Sequence, residues 1–126
     1  MTYYKRLKVA ILNDEFFVTV LLGNKEMAKK AMLCNYPDMD TEVFENTRGC
    51  YVCWHMQIPI IWIGLSPKDP HFYATVAHEA IHAIDFIFDE IGETAATEVY
   101  AHCVGAVVAK VEQWVKRKKM KHSKGK

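Results

Sequence analysis

The run from Phe72 to Phe88 constrains this chain most, because it is almost continuously apolar yet carries His78, Glu79 and His82 inside it. Apolar residues recur at helical spacing and cover most of the surface such a helix would have, so the segment predicts a buried helix. Asp69 is expected as its N-cap and Pro70 as its first helical residue, and Gly92 supplies the stop. Polar groups on a buried helix need partners. In His78-Glu79-Ala80-Ile81-His82 the two histidines lie four apart on one face, where both imidazoles can grip one metal ion. The glutamate between them is placed to take a proton from an attacking water rather than to bind the metal. The plainer alternative is a pair of core histidines satisfied by hydrogen bonds.

A chain of 126 residues has room for one hydrophobic core. An apolar share of 51% with 25% charged residues fits a soluble globular protein and excludes a disordered chain. The richest apolar stretch, Ile58 to Leu65, contains Pro59 and is the length of a strand, so no membrane span is expected. Met1 to Arg6 lack the apolar core and cleavage site of a signal peptide, so a cytoplasmic location is expected. Cys34, Cys50, Cys53 and Cys103 are then expected as reduced thiols. Cys50 and Cys53 form a C-x-x-C, but a zinc ribbon needs a second such pair and a thioredoxin-type site needs a helix N-terminus, so the spacing reads as coincidence.

Along the chain, Leu7 to Leu22 reads as a β-hairpin turning at Asn13-Asp14, and Lys25 to Leu33 as a short amphipathic helix after Gly23-Asn24. A polar connection leads to two strands, Tyr51 to Met56 and Ile60 to Ile63, with Pro59 arguing for an edge or a strand start. After the motif helix, a second long helix is expected from about Thr94 to Arg117, with Ala96, Val99, Cys103, Val107, Val111 and Trp114 along one stripe. Ala101, Gly105 and Ala106 are small enough to let it pack closely on the motif helix. The order hairpin, helix, strand pair, helix, helix predicts an α+β fold, a single domain over residues 1–115 followed by a basic, disordered tail over 116–126.

A catalytic metal site needs a third protein ligand and an open position. Downstream candidates are Asp85, Asp89, Glu90, Glu93, Glu98 and His102. The chain reverses at Gly92 and the second helix climbs back at about 1.5 Å per residue, so Glu93 is too near the turn, whereas Glu98 and His102 lie one turn apart and can both face the metal. Asp85 shares the motif face and can hold the free nitrogen of a ligand histidine. Asp89 and Glu90 read as solvated charges at the helix end.

His78-Glu79-Ala80-Ile81-His82, followed 16 residues later by Glu98 on its own helix, resembles the gluzincin branch of zinc peptidases, in a compact form similar to minimal zincins and the small metallopeptidase-like proteins of bacteriophages. The resemblance covers roughly Pro59 to Val111. It implies a zincin-like fold, a small antiparallel or mixed sheet packed on the motif helix and a second, ligand-bearing helix. It also implies Zn²⁺ held by His78, His82 and Glu98, Glu79 as general base, and a peptide or protein substrate. Many gluzincins carry Glu-x-x-x-Asp on that second helix; here the aspartate position is His102. His102 stands as an oxyanion stabiliser, a support for a ligand histidine, or the third ligand in place of Glu98. Tyr100 and Tyr73 are lesser candidates for the oxyanion role.

A rival reading is a zincin-like domain whose metal is structural and whose work is binding. The segment Lys116 to Lys126 holds seven of the 16 basic residues, leaving nine against 15 acids, or −6, in the rest of the chain. Such a cluster is a possible contact for nucleic acid, although no aromatic residue interleaves it, and a solvated helix end explains it equally.

Overall fold

The structure, a computed structural model, describes residues 3–54, 57–92 and 97–124, with side chains as far as residue 119. It is an α+β fold, a four-stranded mixed sheet with helices on both faces. Strand β1 (Tyr4–Ile11) and strand β2 (Phe16–Gly23) form the expected antiparallel hairpin, with Leu7 opposite Val20 and Val9 opposite Val18. The turn between them holds Leu12, Asn13 and Asp14 at φ of 53°, 56° and 65°. Asn and Asp tolerate this left-handed region; Leu12 does not, and its side chain is held there by packing against the core. Helix α1 (Lys25–Asn35) starts where Asn24 Oδ1 accepts the Met27 N–H at 3.0 Å.

Strand β4 (Ile60–Ile63) lies between β2 and strand β3 (Gly49–Val52), parallel to the first and antiparallel to the second, so the order is β1-β2-β4-β3. Every residue of β4 is buried, as expected of a strand covered on both faces. Val18, Val20, Leu22, Ile61 and Ile63 point to one face, under helix α2 (Phe72–Glu90) and helix α3 (Thr97–Lys124). Leu21, Ile60 and Trp62 point to the other, under α1 and a 3-10 turn at Thr41–Phe44. Trp62 Nε1 donates to the Gly23 carbonyl at 2.9 Å and its ring tilts against Phe44, closing that second, smaller core.

Local details depart from the sequence reading. Asp69 Oδ1 accepts the His71 N–H at 2.8 Å and the Asp69 carbonyl accepts the Phe72 N–H at 3.0 Å, so Asp69 and Pro70 make a turn ahead of α2 and His71 is the N-cap. Strand β3 starts two residues earlier than expected, because Gly49 and Cys50 pair with Ile63 and Trp62, and it ends at Val52; positions 55 and 56 of the expected strand lie outside the described residues. The start of the second helix at Thr94, with Glu93 and Ala96, also lies outside them.

Helix α3 runs to Lys124, through the basic segment expected to be disordered from residue 116. Its Cys103, Val107 and Val111 are buried as the stripe implied, whereas Val99, expected on the same stripe, is exposed near the start of the helix. Gly105 is exposed with no atom within 4 Å of where a Cβ would stand, so it is not part of the contact with α2. Among the described residues, no helix is long and apolar enough to cross a membrane.

Candidate metal centre

Helix α2 turns Phe72, Val76, Ala80, Ala83, Ile84 and Ile87 inward, and this apolar arc fixes the direction of everything else on it. His78, Glu79 and His82 fall at the arc's margin, facing β3. Each offers one ligand atom, and these atoms all lie within 4.8 Å of one another, an arrangement able to hold a metal ion. No other such group occurs among the described residues. His78 is exposed, His82 half-buried and Glu79 buried at 5% relative exposure, so the cluster opens outward and its carboxyl group sits at the bottom.

Glu79 reaches that position because β3 offers no side chain to block it. A Cβ on Gly49 would stand 3.1 Å from Thr75 Cγ2, 3.2 Å from Glu79 Cγ and 2.9 Å from the Trp62 carbonyl oxygen. Glycine thus lets one turn of α2 lie directly against the strand. Burial raises the pKa of Glu79 above the ordinary glutamate value, and the neighbouring His78 and His82 pull partly against that rise. A carboxyl raised in this way holds a proton more readily than an exposed one, which suits a general base.

Two residues further along β3, on the same face as Gly49, the Tyr51 ring stacks on the His82 imidazole, with centroids 4.3 Å apart and planes at 13°. His78 meets His82 edge-on at 5.0 Å and 77°. The imidazoles, Glu79, Thr47, Gly49 and Tyr51 border an open cleft of about 520 Å³ along β3. That strand is at the edge of the sheet, with no strand paired to its outer side among the described residues. Cys50 and Cys53 are free thiols beside it, and burial, then the charge of Glu79, pushes the Cys50 thiol up to about 12.

The cluster unites three of the five residues singled out by sequence. Glu98 and His102 are exposed and lie along a different surface of α3, with Ala101 and Gly105. The phase of α3 explains this: Tyr100 turns toward α2, and Glu98, two residues away, is about 200° around the helix from it. His102 borders the β1–β2 turn at Asn13 and Asp14. The Tyr100 hydroxyl donates to Asp85 Oδ1 at 2.8 Å, with the Ile81 carbonyl oxygen 3.1 Å away, so Asp85 is engaged by α3 instead of by a ligand histidine. Burial and the Asp85 carboxylate raise the Tyr100 hydroxyl to about 12. Tyr73 is half-buried and packs edge-on to Phe72. Gly49 and Tyr51 were missed as site residues, although a glycine at a strand start signals close backbone approach, and Tyr51 follows it on the same face.

The chain matches no family model, no curated protein and no solved structure.

Proposed function

We propose that this chain is a zinc-dependent peptidase in which His78 and His82 hold the ion and Glu79 is the general base. One observation carries the reading: a buried carboxyl group with a raised pKa sits beneath two imidazoles whose nitrogens converge on it within 4.8 Å. The donor set fits zinc, whose usual protein ligands are imidazole nitrogen, thiolate and carboxylate oxygen. When bound, the ion would supply a water of lowered pKa and polarise the substrate carbonyl. Glu79 takes the proton of the attacking water, holds it inside the cleft, and delivers it to the departing amine nitrogen. Tyr51 keeps the His82 ring from rotating. The substrate chain lies extended against the outer edge of β3, where its backbone completes the ladder.

A third protein ligand is part of this proposal. Glu98 fills the role if the first turn of α3 rewinds to bring its carboxylate round; His102 enters no step.

A second reading is favoured by the same cluster, because a Glu79 oxygen lies within 4.8 Å of the imidazole nitrogens, as they do of each other. With Glu79 as a ligand, no carboxylate is left beside the ion to act as base, and the site is a non-catalytic metal centre. Glu79→Gln separates the two. In the peptidase, the variant retains stoichiometric zinc and loses peptide hydrolysis by about 10²-fold or more; loss of zinc from that variant, or unchanged turnover, overturns the assignment of Glu79 as base.

A further inference from the structure

The basic end of the chain has no aromatic residue within it, and the fold brings aromatic residues to it from elsewhere. Where α3 passes along β1, Trp114, Arg117 and Lys118 meet Tyr3, Tyr4 and Lys5 around one shallow surface groove of about 450 Å³. The rings of Tyr3 and Trp114 stack with centroids 5.9 Å apart and planes at 22°. Lys118 Nζ lies 4.4 Å from the centre of the first ring and 5.1 Å from that of the second. Tyr3 is fixed from behind, its hydroxyl donating to the Leu65 carbonyl at 3.0 Å. Two aromatic rings and three cations therefore share one groove, the Tyr4 side chain packing on the opposite face of the sheet, and no carboxylate among the described residues lines it.

We propose that this groove binds single-stranded nucleic acid, independently of the metal centre. The chemistry of the five side chains selects that partner. Planar bases stack on aromatic rings in a way that tolerates any sequence, while cations beside the rings meet the phosphates. Rings already held in place lose little freedom on binding. A membrane surface is disfavoured because the exposed large apolar side chains among the described residues, such as Met27, Trp54, Ile58 and Val99, all lie elsewhere, so nothing in the groove would enter a bilayer. The position also separates the two activities: β1 and β3 are opposite edges of the sheet, with two strands between them.

The test is fluorescence anisotropy of a labelled single-stranded oligothymidine of about 15 nucleotides with the full chain, over a series of salt concentrations. Binding is expected at low salt, weakening as salt rises. Arg117→Gln with Lys118→Gln weakens it by about tenfold or more and lowers the slope of log affinity against log salt by roughly 1.4, the loss of two phosphate contacts to a single strand. Trp114→Leu, which keeps an apolar side chain on α3, weakens binding at least fivefold with that slope unchanged, as loss of a stacked base requires. Lys5→Gln gives a second charge variant away from the Tyr3–Trp114 stack, and His78→Ala leaves affinity unchanged. Absence of binding overturns the proposal. So does heparin binding as tightly as the oligonucleotide with Trp114→Leu without effect on either, which marks a bare polyanion contact. Binding to anionic vesicles in preference to the oligonucleotide overturns it in favour of a membrane surface.

Discussion

Tyr51 on β3 and His82 on α2 are stacked face to face at 4.3 Å, so the orientation of a proposed metal ligand is set by a ring on a different element of the fold. Removing a group that orients a metal-binding histidine commonly weakens the metal about 10- to 100-fold. Tyr51→Ala is expected to lose zinc affinity by about tenfold in a competition titration with a coloured chelator. Tyr51→Phe keeps the stack and is expected to match the parent. Equal losses in both variants would assign the effect to the hydroxyl instead.

Gly49→Ala tests how tightly α2 rests on the sheet. The new methyl group meets a backbone oxygen at 2.9 Å, which cannot swing aside, as well as Thr75 and Glu79. Overpacking of this kind costs typically about 1–3 kcal/mol, and for a domain of this size each kcal/mol lowers the melting temperature by roughly 4 °C. A lower melting temperature with weakened zinc binding is expected, because the strain falls on the turn that carries Glu79. A variant as stable as the parent would show that α2 has room to move.

The raised pKa of Glu79 gives the metal-free protein a pH dependence of known sign. Its folded pKa lies above the unfolded one because burial disfavours the ionised form. Below the unfolded pKa the group is neutral in both states and burial is harmless. As pH rises through the unfolded and then the folded value, the unfolded chain ionises first and the folded state is progressively disfavoured. Glu79→Gln escapes this, so the urea midpoint of the variant should gain on that of the parent as pH rises through and above the ordinary glutamate range in chelator. A constant difference over that range would mean that the carboxyl group is not desolvated.

Glu98→Gln examines the missing ligand. With α3 phased as described, the side chain is on the outer surface, so the proposed rewinding predicts a loss of zinc affinity of about tenfold or more in this variant, and affinity within about twofold of the parent removes Glu98 from the ligand set. His78→Ala and His82→Ala should each abolish stoichiometric zinc. A tenfold loss on changing Glu98 would show that the first turn of α3 rewinds when the ion binds.

The hairpin, the three helices and the triad on α2 were legible because each follows from local spacing: period two across the turn at Asn13-Asp14, period 3.6 from Phe72 to Phe88. The outward placement of Glu98 was also legible, since it stands about 140° around the helix from Cys103, on the buried stripe. The gluzincin spacing drew attention away from that phase. The insertion of β4 between β2 and β3 was not legible, because parallel pairing of Val20 with Ile61 joins residues far apart in sequence and leaves no local mark. Tyr51 over His82 and Tyr3 beside Trp114 are contacts of the same kind.

The central place of β4 carries a consequence for synthesis on the ribosome. The hairpin can close as soon as residue 23 has emerged, but the flank of β2 that will receive β4 stays bare until residues 60–63 follow. During that interval the nascent chain displays an apolar, unpaired strand flank, the kind of surface on which unfinished chains aggregate. A chain arrested before residue 60 therefore gives a sticky fragment and not a smaller stable domain.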